Sequence, residues 1–213
     1  MPETNRRNAS FGEYFARVGP RMDARGAAEH RRRLVEAAHG TVVEIGAGYG
    51  ATFPFYPAAV TSVLALEPDP TLRALALAEA SRAPVPVTVH DGTAESLPVA
   101  DESVDVVVSC LVLCSVADQS AVLAETLRVL RPGGLLLFYE HVRSAHRVLA
   151  AAEDLLTPLW SRMAGGCHPN RDTAGRIAAA GLTLQNMERF GFSALPGNPR
   201  IAHIIGAAEK PRT

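Results

Sequence analysis

Short apolar runs and longer segments of helical period alternate along the middle of the chain. T-V-V-E-I (41–45), T-S-V-L-A-L-E (61–67), V-P-V-T-V-H (85–90), V-D-V-V-V-S (104–109) and G-L-L-L-F-Y-E (134–140) are brief, β-branched and almost continuously apolar. Strands of that kind suit a parallel sheet covered on both faces. Between them, P-T-L-R-A-L-A-L-A-E-A-S-R (70–82) and D-Q-S-A-V-L-A-E-T-L-R-V-L (118–130) have helical period, and the second runs into R-P-G-G, a proline and glycine stop. The alternation predicts a doubly wound α/β sheet with right-handed crossovers. Residues 1–39 read as helical, most clearly at A-A-E-H-R-R-R-L-V-E-A-A-H. Residues 143–180 read as two helices around a G-G-C-H-P-N loop, and L-T-L-Q-N-M-E-R-F (182–190) and I-A-H-I-I-G-A-A (201–208) as closing strands. No repeat or linker interrupts this pattern. One domain over 1–213 is expected, with a helical cap (1–39), a core (40–142) and closing helices and strands (143–213).

Composition adds exclusions. With 213 residues, 47% hydrophobic and 20% charged, the chain can bury a substantial core. A formal net charge of −1 argues against a nucleic-acid partner bound through phosphate charge. The basic runs at 6–7 and 31–33 are expected on a solvated helix face. The most apolar run, Val104 to Val116, is 13 residues long and contains Asp105; a bilayer crossing needs about 20. M-P-E-T-N-R-R-N at the start has no apolar stretch of signal type. No stable membrane insertion and a cytoplasmic location are therefore expected. Cysteines at 110, 114 and 167 make an odd count without a C-x-x-C pair, which suits neither a disulfide framework nor a zinc site. The acids and histidines show no ligand spacing either, so no metal is expected.

V-V-E-I-G-A-G-Y-G-A leads from a strand toward a helix and places glycines at 46, 48 and 50. Glycines there permit a tight turn and a close approach of backbone to a ligand. Glu67 ends the second strand, 21 residues after Gly46, where a carboxylate can accept from both hydroxyls of a ribose. An adenosine-bearing cofactor is expected at the carboxyl ends of the first two strands. Gly46-Ala47-Gly48-Tyr49-Gly50-Ala51 also satisfies the G-x-G-x-x-A of nicotinamide proteins, whose helix N-terminus binds a pyrophosphate. Three features favour S-adenosyl-L-methionine instead. Glu44 lies two residues before the loop, where an acid repels a pyrophosphate but can orient the loop or help bind a methionine ammonium. His90-Asp91-Gly92-Thr93-Ala94 follows the third strand, where Asp91 can accept from an adenine amino group. L-R-V-L-R-P-G-G-L-L-L-F opens the fifth.

E-I-G-A-G-Y-G, L-E-P-D-P, H-D-G-T-A-E-S-L-P, D-E-S-V-D-V-V-V-S and R-V-L-R-P-G-G follow one another over residues 40–140. In this the chain resembles the class I S-adenosyl-L-methionine-dependent methyltransferases. The resemblance implies a Rossmann-like seven-stranded sheet in the order 3-2-1-4-5-7-6, with strand seven antiparallel and an N-terminal helical lid. It implies cofactor contacts at Glu44, Gly46, Ala47, Gly48, Glu67, Pro68, Asp91, Gly92, Thr93, Ala94, Cys110 and Leu111. In related enzymes an N-terminal helix like F-G-E-Y-F-A-R-V closes over the cofactor, which puts Tyr14 in reach of the methionine carboxylate or the sulfonium.

L-V-L-C-S-V (111–116), E-H-V (140–142), F-Y-P (55–57), Trp160, G-C (166–167), R-D-T (171–173) and I-I-G (204–206) resemble more narrowly the methyltransferase-like-7 group of thiol S-methyltransferases. That group carries an N-terminal hydrophobic anchor, whereas the first forty residues here hold no such stretch. The resemblance implies methyl transfer to a small acceptor, foremost a thiol sulfur, with oxygen, nitrogen or carbon of a metabolite, quinone precursor or phospholipid headgroup as the alternative. A non-catalytic cofactor-binding protein is the alternative of another class. The transfer is an in-line displacement that needs an aligned nucleophile and the removal of one proton. His141, just past the fifth strand, is the leading base, and His168 the second, on a loop that can act as a lid. Cys110 and Cys114 are expected as soft pocket wall, and Met22, Trp160, Met163, Phe190 and Phe192 as an apolar acceptor pocket.

Overall fold

The computed structural model describes residues 3–194, 196–197 and 199–212, with side chains from residue 11 onward; the Arg6-Arg7 pair lies outside the described side chains. Helix α1 (Glu3–Met22) turns through a five-residue kink, Asp23–Ala27, into α2 (Ala28–Val35). Gly26 makes the bend with φ of 121°, a conformation that costs glycine little. Strands β1 (Gly40–Ile45), β2 (Val60–Leu66), β3 (Val87–His90), β4 (Val104–Cys110) and β5 (Leu130–His141) follow, with α3 (Pro70–Ala80) between β2 and β3 and α4 (Gln119–Val129) between β4 and β5. After β5 come α5 (Arg147–Met163), α6 (Thr173–Ala179), β6 (Thr183–Phe192) and β7 (Ile201–Glu209).

The sheet order is β3-β2-β1-β4-β5-β7-β6, as expected. Pairing is parallel from β3 to β5, and β7 runs antiparallel to both β5 and β6. The continuous apolar strands are explained by two cores. On one face Val43, Val107, Leu136 and Ala208 pack against Leu123 and Val129 of α4 and Ile177 of α6. On the other, Val42, Val106, Val108 and Leu137 pack against Leu34 and Val35 of α2 and Ala76 of α3. Fully burying one such valine or leucine contributes about 1.5–3 kcal/mol.

Both helix starts in the core are capped as their sequences suggest. Asp69 accepts from Thr71 and Leu72 N–H, and Asp118 from Ser120 and Ala121 N–H, each filling orphan donors of a first turn. The R-P-G-G segment stops α4 and is itself the start of β5, with a shift of register where Val104 faces Leu130 and Val106 faces Leu135. One expectation fails in the R-R-R run. Arg32 and Arg33 are exposed, but Arg31 is 3% exposed and paired with Asp23, because the kink at Gly26 folds Asp23 back over α2. Among the described residues no helix is long and apolar enough to cross a membrane.

Candidate active site

The glycine loop leaves β1 with Gly46 and Gly48 both at φ 59° and Gly50 at φ 84°. A Cβ at Gly46 would lie 2.6 Å from Val112 Cγ2, so this turn passes directly beneath the loop that follows β4. Ala47 N–H donates to the Leu66 carbonyl at 2.9 Å, which ties the turn to the end of β2. There Glu67, 6% exposed, accepts from Gly48 N–H at 2.7 Å and from Asp69 N–H at 2.8 Å. Burial raises its pKa, and the two backbone donors oppose that rise. Asp69 Oδ2 beside it is buried with no hydrogen-bond partner among the described residues.

Glu44 takes one of its two expected parts. Its carboxylate is fully buried and accepts from the Thr52 hydroxyl and, at 2.8 Å, from the Tyr56 hydroxyl. It therefore braces the segment after the glycines and does not present itself to an ammonium group. Burial, only partly offset by these hydroxyls, pushes its pKa up to about 7. Asp91 is 72% exposed and accepts from Arg73 at 3.0 Å. The same Arg73 nitrogen reaches the Glu67 and Pro68 carbonyls, so Asp91 and Pro68 belong to a clamp joining the ends of β2 and β3. A Cβ at Gly92 would lie 3.2 Å from Leu66 Cδ2. Thr93 carries a loop turn through its carbonyl, which accepts from Ser96 N–H, while Ala94 is turned into the core.

Helix α1 crosses the glycine loop as expected, but with another face inward. Phe11 and Phe15 stack at 5.7 Å, Phe15 meets Tyr49 at 5.5 Å, and a Cβ on Gly19 would strike the Tyr49 ring. Tyr14 is 46% exposed. The polar group on the inner side of the cap is Arg31 with Asp23, to which the Tyr49 hydroxyl also donates.

At the other end of the site, the loop after β4 is held by a buried carboxylate. Glu140 accepts from the Ser109 hydroxyl at 2.7 Å and from the N–H groups of Val112, Leu113 and Cys114 at 3.0 Å each. Leu111, with φ of 62°, starts that loop and donates to the Tyr139 carbonyl at 2.7 Å. Cys110, just before it, is half-buried, its thiol pushed up to about 12 by burial.

The sequence shows no ligand spacing among its cysteines and histidines, yet the fold brings three of them together. Cys114 Sγ lies 3.5 Å from His141 Nδ1, Cys167 Sγ lies 3.3 Å from the same nitrogen, and the two sulfurs are 3.7 Å apart. Sequence spacing hid the trio because three separate segments carry it. Cys167 reaches it through Gly165 and Gly166, at φ 59° and 85°. A Cβ on Gly166 would lie 2.9 Å from the Ser115 carbonyl, so only glycine lets the two loops approach. The Cys114 hydrogen bond, against burial and with help from the His141 charge, lowers the Cys167 pKa. The same bond and burial raise that of Cys114. For His141 burial acts downward, but the charge and hydrogen bond of Cys167 leave it above its ordinary value.

His168 joins the site by its backbone, its N–H donating to the Cys114 carbonyl at 2.7 Å, while its Nδ1 is buried without a hydrogen-bond partner among the described residues. Of the expected acceptor pocket, Trp160 is half-buried, its indole Nε1 buried without a hydrogen-bond partner among the described residues. Met163 is 73% exposed on an outward apolar stripe of α5 with Leu155 and Leu159. Phe190 and Phe192 pack on His30 at 4.6 and 4.8 Å, beside Tyr139 and His203, and Met22 is half-buried at the end of α1.

Residues 43–138 match the family model described as a methyltransferase domain. Over 176 residues the chain is 36% identical to rat "Thiol S-methyltransferase TMT1B", covering 80% of this chain and 70% of that protein. The chain is a class I S-adenosyl-L-methionine-dependent methyltransferase. Human "Thiol S-methyltransferase TMT1A" is 35% identical to this methyltransferase over 155 residues, 70% of this chain and 63% of that one. A solved S-adenosylmethionine-dependent methyltransferase from Thermotoga maritima superposes with a TM-score of 0.71 at 20% identity, over 98% of this chain and 100% of the other. The [4+2]-cyclase SpnF superposes equally well, TM-score 0.71 at 17% identity, over 89% and 82% of the two chains. Those two likenesses carry the fold alone.

S-adenosyl-L-methionine is the cofactor of this methyltransferase, and the residues present fit it. The loop Gly46–Gly48 offers close backbone, and Glu67 offers a buried carboxylate where ribose hydroxyls belong in this fold. Asp69 Oδ2 is an acceptor without a donor among the described residues.

Proposed function

We propose that this methyltransferase acts on a small thiol and transfers the methyl to its sulfur. The observation that carries the reading is the Cys114–His141–Cys167 trio at the carboxyl ends of β4 and β5, together with the name of the relatives that are 35–36% identical. Bound S-adenosyl-L-methionine supplies a methyl group already activated by a sulfonium.

The chain's own residues then have five tasks. Glu67 accepts from the ribose hydroxyls, and Gly46, Ala47 and Gly48 let backbone approach the methionine portion. Arg31, buried and cationic behind α1, is suited to the methionine carboxylate. Cap helix α1, with Phe11 and Phe15 inward, excludes water. A thiol has a pKa of about 8.5, so one local group that takes up or displaces its proton is enough at neutral pH, and His141 is the residue assigned to it.

The test is incubation of the enzyme and cofactor with a small alkyl thiol, followed by mass analysis, beside phenol, amine and carbon-acid acceptors. A methylated thiol is expected. His141→Ala should lower turnover with cofactor affinity preserved. Methylation of a phenol or amine with no thiol turnover would remove the sulfur assignment and leave the enzyme class standing.

A further inference from the structure

We propose that Cys114, His141 and Cys167 bind a tetrahedral zinc ion, and that its open fourth position receives the acceptor's sulfur as a thiolate. The second half rests on the thiol reading above; the first half does not.

The dimensions of the trio carry the proposal. Tetrahedral zinc with Zn–S of about 2.3 Å and Zn–N of about 2.05 Å requires ligand atoms roughly 3.8 Å apart for S···S and roughly 3.5 Å for S···N. The observed edges are 3.7, 3.3 and 3.5 Å. A disulfide would need the sulfurs at about 2.0 Å, so the pair stands at the separation of two ligands of one ion. Two thiols and an imidazole are the donor set that selects zinc over magnesium or calcium. Among the described residues these three form the group, with no fourth His, Cys, Asp or Glu. Three protein ligands are the mark of a catalytic rather than a structural zinc site.

The ligands are also held in place before any ion arrives. Glu140 grips the backbone of 112–114, and Gln119 donates to the Leu113 carbonyl at 3.0 Å. His168 N–H fastens the Cys167 loop to the Cys114 carbonyl. Arg171 donates to the Leu113 carbonyl at 2.7 Å and sets a positive charge beside a site that would hold two thiolates. Supporting contacts of this kind orient ligands and raise affinity.

The chemistry balances without a redox partner. On coordination the acceptor's S–H proton passes to solvent and a sulfur–zinc bond forms. The thiolate lone pair then makes the new S–CH3 bond as the methyl–sulfonium bond breaks, and its electron pair stays on the departing neutral thioether. The methylated product is a weak, uncharged ligand and leaves the ion, whose oxidation state is unchanged throughout. In this scheme the ion replaces the base role given to His141 above: His141 serves through its Nδ1 lone pair on zinc, and the acceptor's proton goes to solvent.

The experiment uses the full chain, stripped by a chelator and titrated with Co2+ and then Zn2+. One Co2+ per chain is expected, with a near-ultraviolet sulfur-to-cobalt charge-transfer band and the visible bands of tetrahedral cobalt, both removed by Zn2+. Cys114→Ser and Cys167→Ser should weaken binding by more than the roughly 100-fold that losing a supporting contact costs. Circular dichroism and cofactor affinity check that each variant folds. Addition of a small alkyl thiol should shift the charge-transfer band. A folded protein that retains no zinc and shows no such band overturns the proposal. A bound ion whose band ignores the thiol, or thiol methylation at full rate after stripping, overturns the thiolate step while the thiol reading stands. Zinc binding and a thiol-shifted band with no methylated thiol would support the site and count against the acceptor reading alone.

Discussion

The carboxylate of Glu140 accepts the backbone N–H of Cys114 at 3.0 Å, although 26 residues separate them. It is the last of four bonds by which the end of β5 shapes the loop after β4, and all four donors are buried or nearly so. Glu140→Gln brings an amide N–H against those donors and leaves some unpaired. At about 1–3 kcal/mol for each buried group left unsatisfied, a loss of roughly 2–4 kcal/mol is expected in denaturant unfolding. An unchanged midpoint would show that the loop holds its shape without the acid.

The cofactor end predicts a change in affinity. Glu67→Ala should weaken S-adenosyl-L-methionine binding by about 1–3 kcal/mol, because ribose hydroxyls lose a charged acceptor. Calorimetric titration measures this directly. Equal affinity in the variant would move the ribose contact elsewhere, with Asp69 the first residue to try next.

Glu44 predicts a pH dependence of stability. Its carboxyl is pushed up to about 7 from an ordinary 4.5 by burial, so the folded state favours the protonated form more than the unfolded state does. Its contribution is fully present below pH 4.5 and is lost as pH rises from 4.5 through 7. Over that window wild type should lose roughly 3 kcal/mol relative to Glu44→Gln, at about 1.4 kcal/mol per pKa unit. Parallel stability curves for the two proteins between pH 5 and 8 would refute the assignment.

Gly166 predicts how closely the two cysteine loops must approach. It sits at φ 85° with the Ser115 carbonyl 2.9 Å from where a Cβ would stand. Gly166→Ala therefore meets both backbone strain and a clash with backbone, and should destabilise by about 1–3 kcal/mol. Turnover should fall further than the lost stability explains, because Cys167 is displaced from His141. A variant with native turnover and melting temperature would mean the approach is looser than it looks.

Much of the fold was legible in the residue pattern because strands and helices report local interactions. The seven strands, the two capped core helices and the glycine turn with Glu67 opposite it all follow from period, caps and turn chemistry within a few residues. The sheet order came with the motif series, since pattern alone does not say which strands pair. Which face of a helix docks is likewise not a local property. The family resemblance pointed to Tyr14 as the group facing the cofactor, whereas Phe11 and Phe15 point in. The kink at Gly26 took Arg31 out of an apparently solvated run and buried it with Asp23.

The cluster around His141 was the least legible part, for a reason of geometry. His141 stood out as a residue just past a strand end, but its partners were hidden. Cys114 and Cys167 lie 27 and 26 residues from it and 53 from each other, and no spacing rule joins them. The pairing of Ser109 with Phe138 and Cys110 with Tyr139 brings Glu140 and His141 level with the loop 111–114. The paired glycines 165 and 166 then admit Cys167. Local chemistry along the chain thus accounts for the scaffold and the cofactor turn, while strand register and loop path, which arise only on packing, decided which side chains meet.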